Sequence, residues 1–204
     1  MGIQSPTASI SRYRVEGNLE KPIIETVRRG LKSNIIEDID KDSVETSVGW
    51  TSFYQPYQPN FDGPSFIFGT LFIFSLRIDK KTVPPKLLHK HVMLASAKRL
   101  AETGRRYLSR NEKQVLKEQV TAQLIQRMPA TPNIYDLIWN PEEASLLFFT
   151  SLKAANEELE TLYRHSFGVS LIRLFPYTAA ELNSNLTDSE RDVLNSLKPT
   201  DFTN

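Results

Sequence analysis

Asp62, followed by Asp79-Lys80-Lys81, comes nearest to a catalytic pattern in this chain. Two carboxylates that meet can hold Mg²⁺ over a scissile phosphate, and a lysine beside them can stabilise charge or help position water. The Asp…Asp-x-Lys pattern is permissive, however. Asp62 falls in a Pro-rich loop and Asp79 at the far end of a long predicted strand. That strand could span roughly 40 Å, so the carboxylates need not meet. The expectation is a protein that is not an enzyme, with a Mg²⁺-dependent nuclease as the alternative.

Other catalytic patterns fare worse. His89 and His91 stand two apart on a predicted helix, about 200° around its axis, a poor arrangement for sharing one metal. His165 has no serine partner in a recognisable nucleophile motif. The acidic run Glu37-Asp38-Ile39-Asp40-Lys41-Asp42 lacks the Gly and Glu an EF-hand loop requires. It reads as a solvated turn or as the acidic partner of a basic face. No cysteine is present, which excludes disulfides, thiolate zinc sites and cysteine nucleophiles. The eight glycines are scattered and make no phosphate loop. No cofactor and no metal site are expected.

Binding chemistry is better supported. The chain balances 25 Lys+Arg with 24 Asp+Glu. From Arg77 to Arg127, though, 13 basic residues face four acidic ones, a net of +9, which leaves −8 for the rest. Lys86 and Lys90 are four apart. Arg110, Lys113 and Lys117 step by three and four and share one helix face. Arg105 and Arg106 fall in the turn between two helices. Such a surface attracts polyanions and releases counterions on binding. First candidates for phosphate contact are Arg105, Arg106, Arg110, Lys113 and Lys117; Lys80, Lys81, Lys86, Lys90, Lys98 and Arg99 come second. The alternative is a protein–protein module whose basic face meets an acidic partner. Among the aromatics, the loop residues Tyr54, Tyr57 and Phe61 are candidates for a nucleic-acid or dimer contact, and the period-two aromatics read as core.

These residues need elements to position them. Alternation predicts strands at 11–16 and 44–53, and a near-continuous β-branched and aromatic run predicts a long buried strand at 66–78. Apolar steps of four predict a helix over 19–32, with Pro22 in its first turn. Pro84-Pro85 opens a helix that Gly104 breaks near Ala101. Ser109-Arg110-Asn111-Glu112 is a capping box that starts a second helix, running to Met128. A hairpin (134–139 with 144–149), an amphipathic helix (152–165), a strand (169–175) and short helices (178–198) complete the order. The fold class is α+β, with mostly antiparallel sheets. Two mirrored halves, βαββ and ββαβ, flank two central helices. Residues 1–204 read as one domain, or as two subdomains joined by the basic helical segment 84–128, with a polar tail at 199–204.

Several of these segments, in order, resemble the bacterial recombination-associated protein RdgC family. The likeness begins at Ser11-Arg12-Tyr13-Arg14-Val15 and continues at Val48-Gly49-Trp50. Phe72 to Ile78 and then Val83-Pro84-Pro85 are similar to the family's long strand and proline-started helix. Gly104-Arg105-Arg106-Tyr107-Leu108-Ser109-Arg110-Asn111-Glu112-Lys113, running on through Leu116-Lys117-Glu118-Gln119-Val120, matches best. The likeness covers about residues 10 to 176. Pro129-Ala130 departs from the family's usual Pro-Arg, and the familiar members continue past the last matching strand. The resemblance implies a nucleoid protein that binds double-stranded DNA with little sequence preference, as a homodimer. It also implies limitation of RecA recombinase access to DNA, hence modulation of homologous recombination. The family has also carried the name "putative exonuclease".

Location follows from what the sequence lacks. Met1 to Ser11 has no apolar core behind early positive charge, and the longest apolar run, Phe66 to Leu76, is well short of a membrane helix. The expected location is therefore the cytoplasm, not a membrane; the resemblance implies the nucleoid, with double-stranded DNA and a second copy of the chain as partners.

Overall fold

The computed structural model describes residues 2–183 and 186–198; the polar tail expected at 199–204 lies outside them. The elements are β1 (Ser11–Glu16), α1 (Ile23–Ser33), β2 (Thr46–Thr51), β3 (Ile67–Phe68), β4 (Leu71–Lys80), α2 (Pro85–Thr103), α3 (Arg110–Ile125), β5 (Thr131–Asn140), β6 (Ser145–Phe148), α4 (Lys153–Phe167), β7 (Ser170–Leu174), α5 (Pro176–Asn183) and α6 (Asp188–Ser196). The fold is mixed α+β, as expected. The strands hydrogen-bond in the order β2-β4-β5-β6-β1-β7, with β3 on β4. The pairings β1–β6, β1–β7, β2–β4, β3–β4 and β5–β6 are antiparallel. β1 opens the first half of the sequence yet pairs with β6 and β7 of the second, so strand pairing does not follow two mirrored halves.

The chain divides into two compact units. One takes in the residues up to Thr26, Ile67–Ile73 and Asp136 onward; the other takes in Val27–Phe66 and Phe74–Tyr135.

In the first unit β1 buries alternate residues, because successive side chains of a strand point to opposite faces. Tyr13 faces inward, and its hydroxyl donates to Asn156 Oδ1 (2.5 Å) and Glu160 Oε1 (3.0 Å). α4 turns Ala155, Leu159, Tyr163 and Phe167 toward the core, the 3- and 4-residue steps of an amphipathic helix. Trp139 sits edge-on to both Tyr163 (5.1 Å between ring centres) and Phe72 (5.5 Å). Edge contacts suit the ring quadrupoles and add to the burial of these large side chains.

In the second unit Trp50 is fully buried and meets Phe74 edge-on at 5.2 Å. Gly49 makes this possible. A Cβ there would lie 2.4 Å from the Ile36 backbone, which crosses β2 through the Ile35–Trp50 bridge. Only a residue without a side chain permits that approach.

Apart from shifts of up to three residues at other element ends, two boundaries differ from the sequence reading. α1 begins at Ile23 rather than Leu19, so Pro22 precedes the helix. The strand expected at 66–78 is two: Gly69, at φ 65°, turns the chain so that β3 folds back on the start of β4. The left-handed conformation is open to glycine without a Cβ clash, and that single residue interrupts an otherwise continuous apolar run. Among the described residues, no helix is long and apolar enough to cross a membrane.

Candidate nucleic-acid interface

The basic segment folds into a helical hairpin. α2 starts at Pro85, where a missing N–H costs nothing, and ends at Gly104, left-handed at φ 65°. α3 starts from a complete capping box. Glu112 N–H donates to Ser109 Oγ (3.3 Å), and Ser109 N–H donates to Glu112 Oε2 (2.9 Å). The Ser109 N–H, and after it the Ser109 side chain, lower the Glu112 carboxyl from its ordinary value. At a rise of about 1.5 Å per residue, the two helices are about 28 and 24 Å long. They lie against each other. α3 buries Leu116, Val120, Leu124 and Ile125, whereas α2 buries no residue and leaves Met93 and Leu94 exposed.

Ten of the eleven basic residues singled out from the sequence are exposed: Lys80, Lys86, Lys90, Lys98, Arg99, Arg105, Arg106, Arg110, Lys113 and Lys117. Two of them share their charge with carboxylates: Lys98 lies 3.9 Å from Glu102, and Arg105 lies 3.0 Å from Glu112. The side chains of the other eight make no hydrogen bond or ion pair among the described residues, although the charge of Arg99 acts on Glu112. A cation left unneutralised at the surface keeps its field for an incoming phosphate.

Lys81 is placed differently. It is buried, and its ammonium donates to the backbone carbonyls of Asp40 (3.1 Å) and Asp42 (2.7 Å). It lies just past the end of β4, next to exposed Lys80. The acidic run is therefore an anchored loop rather than only a solvated turn. Asp40 Oδ1 also accepts from the Ala130 N–H at 2.7 Å.

The carboxylates of the Asp…Asp-x-Lys pattern are each engaged elsewhere. Arg77 donates to both oxygens of buried Asp79, at 2.7 and 2.5 Å, and Asp62 pairs with Lys32. Among the described residues, no three of the His, Asp and Glu side chains come together as a metal-binding group. His89 and His165 are exposed, and His91 is half-buried. Of the loop aromatics, Phe61 is core, edge-on to Phe66 at 6.2 Å. Tyr54 and Tyr57 are exposed, with the Arg77 guanidinium 5.4 Å from the Tyr57 ring centre.

The sequence reading named the basic pair at the hairpin turn but passed over Tyr107 beside it. Tyr107 is 79% exposed, the most exposed of the large hydrophobic side chains described, while its neighbour Leu108 is buried. The signal was present: an aromatic between two arginines and a helix cap, in a turn that needs one apolar anchor rather than two.

A family model described as "Putative exonuclease, RdgC" matches residues 9–189. No curated protein matches the chain. With nearly its whole length matched, the chain belongs to the RdgC family.

Proposed function

We propose that the protein is a non-catalytic, sequence-tolerant binder of double-stranded DNA that works at the nucleoid as a homodimer. By coating duplex DNA it limits recombinase access and so modulates homologous recombination. One observation carries the reading: eight exposed cations on and beside the α2–α3 hairpin whose side chains make no ion pair among the described residues. Phosphate neutralisation of this kind supplies affinity without reading sequence. The exposed Met93 and Leu94 on α2 support self-association, since apolar surface gains by leaving water. Engagement of Asp79 by Arg77 and of Asp62 by Lys32 supports binding rather than hydrolysis.

Homologous duplex is titrated with the protein and then offered to a recombinase filament on single-stranded DNA. Joint-molecule formation is expected to fall in proportion to coverage. Undiminished pairing at full coverage would contradict the reading.

A further inference from the structure

The turn joining α2 to α3 carries an exposed aromatic ring that phosphate contact alone leaves without a role. Gly104 ends one helix and Ser109 caps the next, so residues 105–108 form the end of the hairpin. Leu108 is buried and anchors the turn. Arg105 donates to Glu112 Oε1 at 3.0 Å, and the other oxygen of that carboxylate is held by the Ser109 N–H, so the turn is braced from both ends. Tyr107 stands out from this braced turn at 79% exposure. Arg105, Arg106, Tyr107, Ser109 and Glu112 line a shallow groove. Its one carboxylate is countered by Arg105, and the field of Arg99 reaches it too.

An exposed aromatic costs solubility and contributes little to folding. A ring that shares its groove with two guanidinium groups has one well-matched class of ligand, a flat π-system carried on a polyanion. Base–aromatic stacking is sequence-tolerant because every base has a π-face, and the arginines hold the adjacent phosphates. A lipid surface would call for apolar neighbours, and the other residues lining this groove are Arg105, Arg106, Ser109 and Glu112.

We propose that Tyr107 is a base-stacking residue and gives the hairpin a preference for DNA with an unstacked base. The proposal rests on the duplex-binding reading above and deepens it: the helices hold phosphates, and the turn selects where along the duplex the protein settles.

The test uses two duplexes of about 30 base pairs, one fully paired and one with a single unpaired 2-aminopurine at its centre. The wild-type protein is expected to bind the bulged duplex about tenfold more tightly and to quench its fluorescence, the size of one stacking contact. Tyr107→Ala should bind both duplexes alike, at the affinity of the paired one; Tyr107→Trp should keep the preference and the quench. Equal binding of the two duplexes by the wild type, or a preference that survives Tyr107→Ala, overturns the proposal and leaves duplex binding standing. A Tyr107→Ala protein that changes its sedimentation mass with DNA preference intact assigns the ring to self-association and also overturns it. Failure of the wild type to bind either duplex at low salt removes both readings together.

Discussion

Replacing Arg110 and Lys113 with glutamine removes two cations from the hairpin face without disturbing what holds it together. Both side chains are exposed and neither makes a hydrogen bond or ion pair among the described residues, while α3 is fixed by its capping box and by Leu116, Val120, Leu124 and Ile125. Both lie in the first turns of α3, where a positive charge opposes the helix dipole, so the variant should melt no lower than the parent. If about six of the eight unpartnered cations meet phosphates, the slope of log affinity against log salt is about −5.4; with four it is about −3.6. Raising the salt from about 50 to about 200 mM then weakens the parent about 2,000-fold and the double variant about 150-fold. The assay is fluorescence anisotropy of a labelled duplex at four or more salt concentrations, repeated on an unrelated sequence. The loss should be equal on both. An unchanged slope would place these residues away from the phosphates, and a loss confined to one sequence would refute sequence-tolerant binding.

Three further outcomes follow from particular contacts. Lys81→Met should lower stability by about 1–3 kcal/mol in urea titration, because two carbonyls of the acidic loop lose a buried donor; DNA affinity of the folded variant should stay unchanged. Ser109→Ala should cost about 1 kcal/mol by removing the acceptor for the Glu112 N–H, and the Glu112 carboxyl should rise only part of the way toward its ordinary value, since the backbone N–H at 109 remains; NMR titration measures it. Burial, and after it the charge of Glu160, holds the Tyr13 hydroxyl well above the usual phenol range. Its contribution is therefore fully present below about pH 10 and is lost as pH rises through the folded-state value; Tyr13→Phe should shrink the alkaline fall in thermal stability.

Most of the fold was legible because its signals are local. Alternation at 11–16, the Ser109–Glu112 box and the terminal glycines at 104 and 168 each fix an element through one or two residues, and the structure has all of them. The start of α1 and the split of β3 from β4 were not legible from pattern, since a proline can sit inside or just before a helix and one glycine can be a bulge or a turn. Pairing was the harder matter. That β1 lies between β6 and β7 depends on contacts more than a hundred residues apart, which no periodicity encodes. The basic face was legible as spacing, but burial sorted its members. Lys80 and Lys81 are neighbours in sequence, yet one faces water and the other holds a loop. Tyr107 lies outside the aromatic loop at 54–61, and its exposure, which spacing does not encode, sets it apart.

The most direct test of duplex binding without hydrolysis is anisotropy on two labelled duplexes of unrelated sequence, about 30 base pairs long, at low and moderate salt, with and without Mg²⁺, with the recovered DNA examined on a denaturing gel. The expected result is equal affinity for both sequences, a steep loss of affinity with salt and intact DNA throughout. DNA shortened only when Mg²⁺ is present would contradict the non-catalytic assignment, and absence of binding at low salt would give the basic hairpin to a protein partner instead.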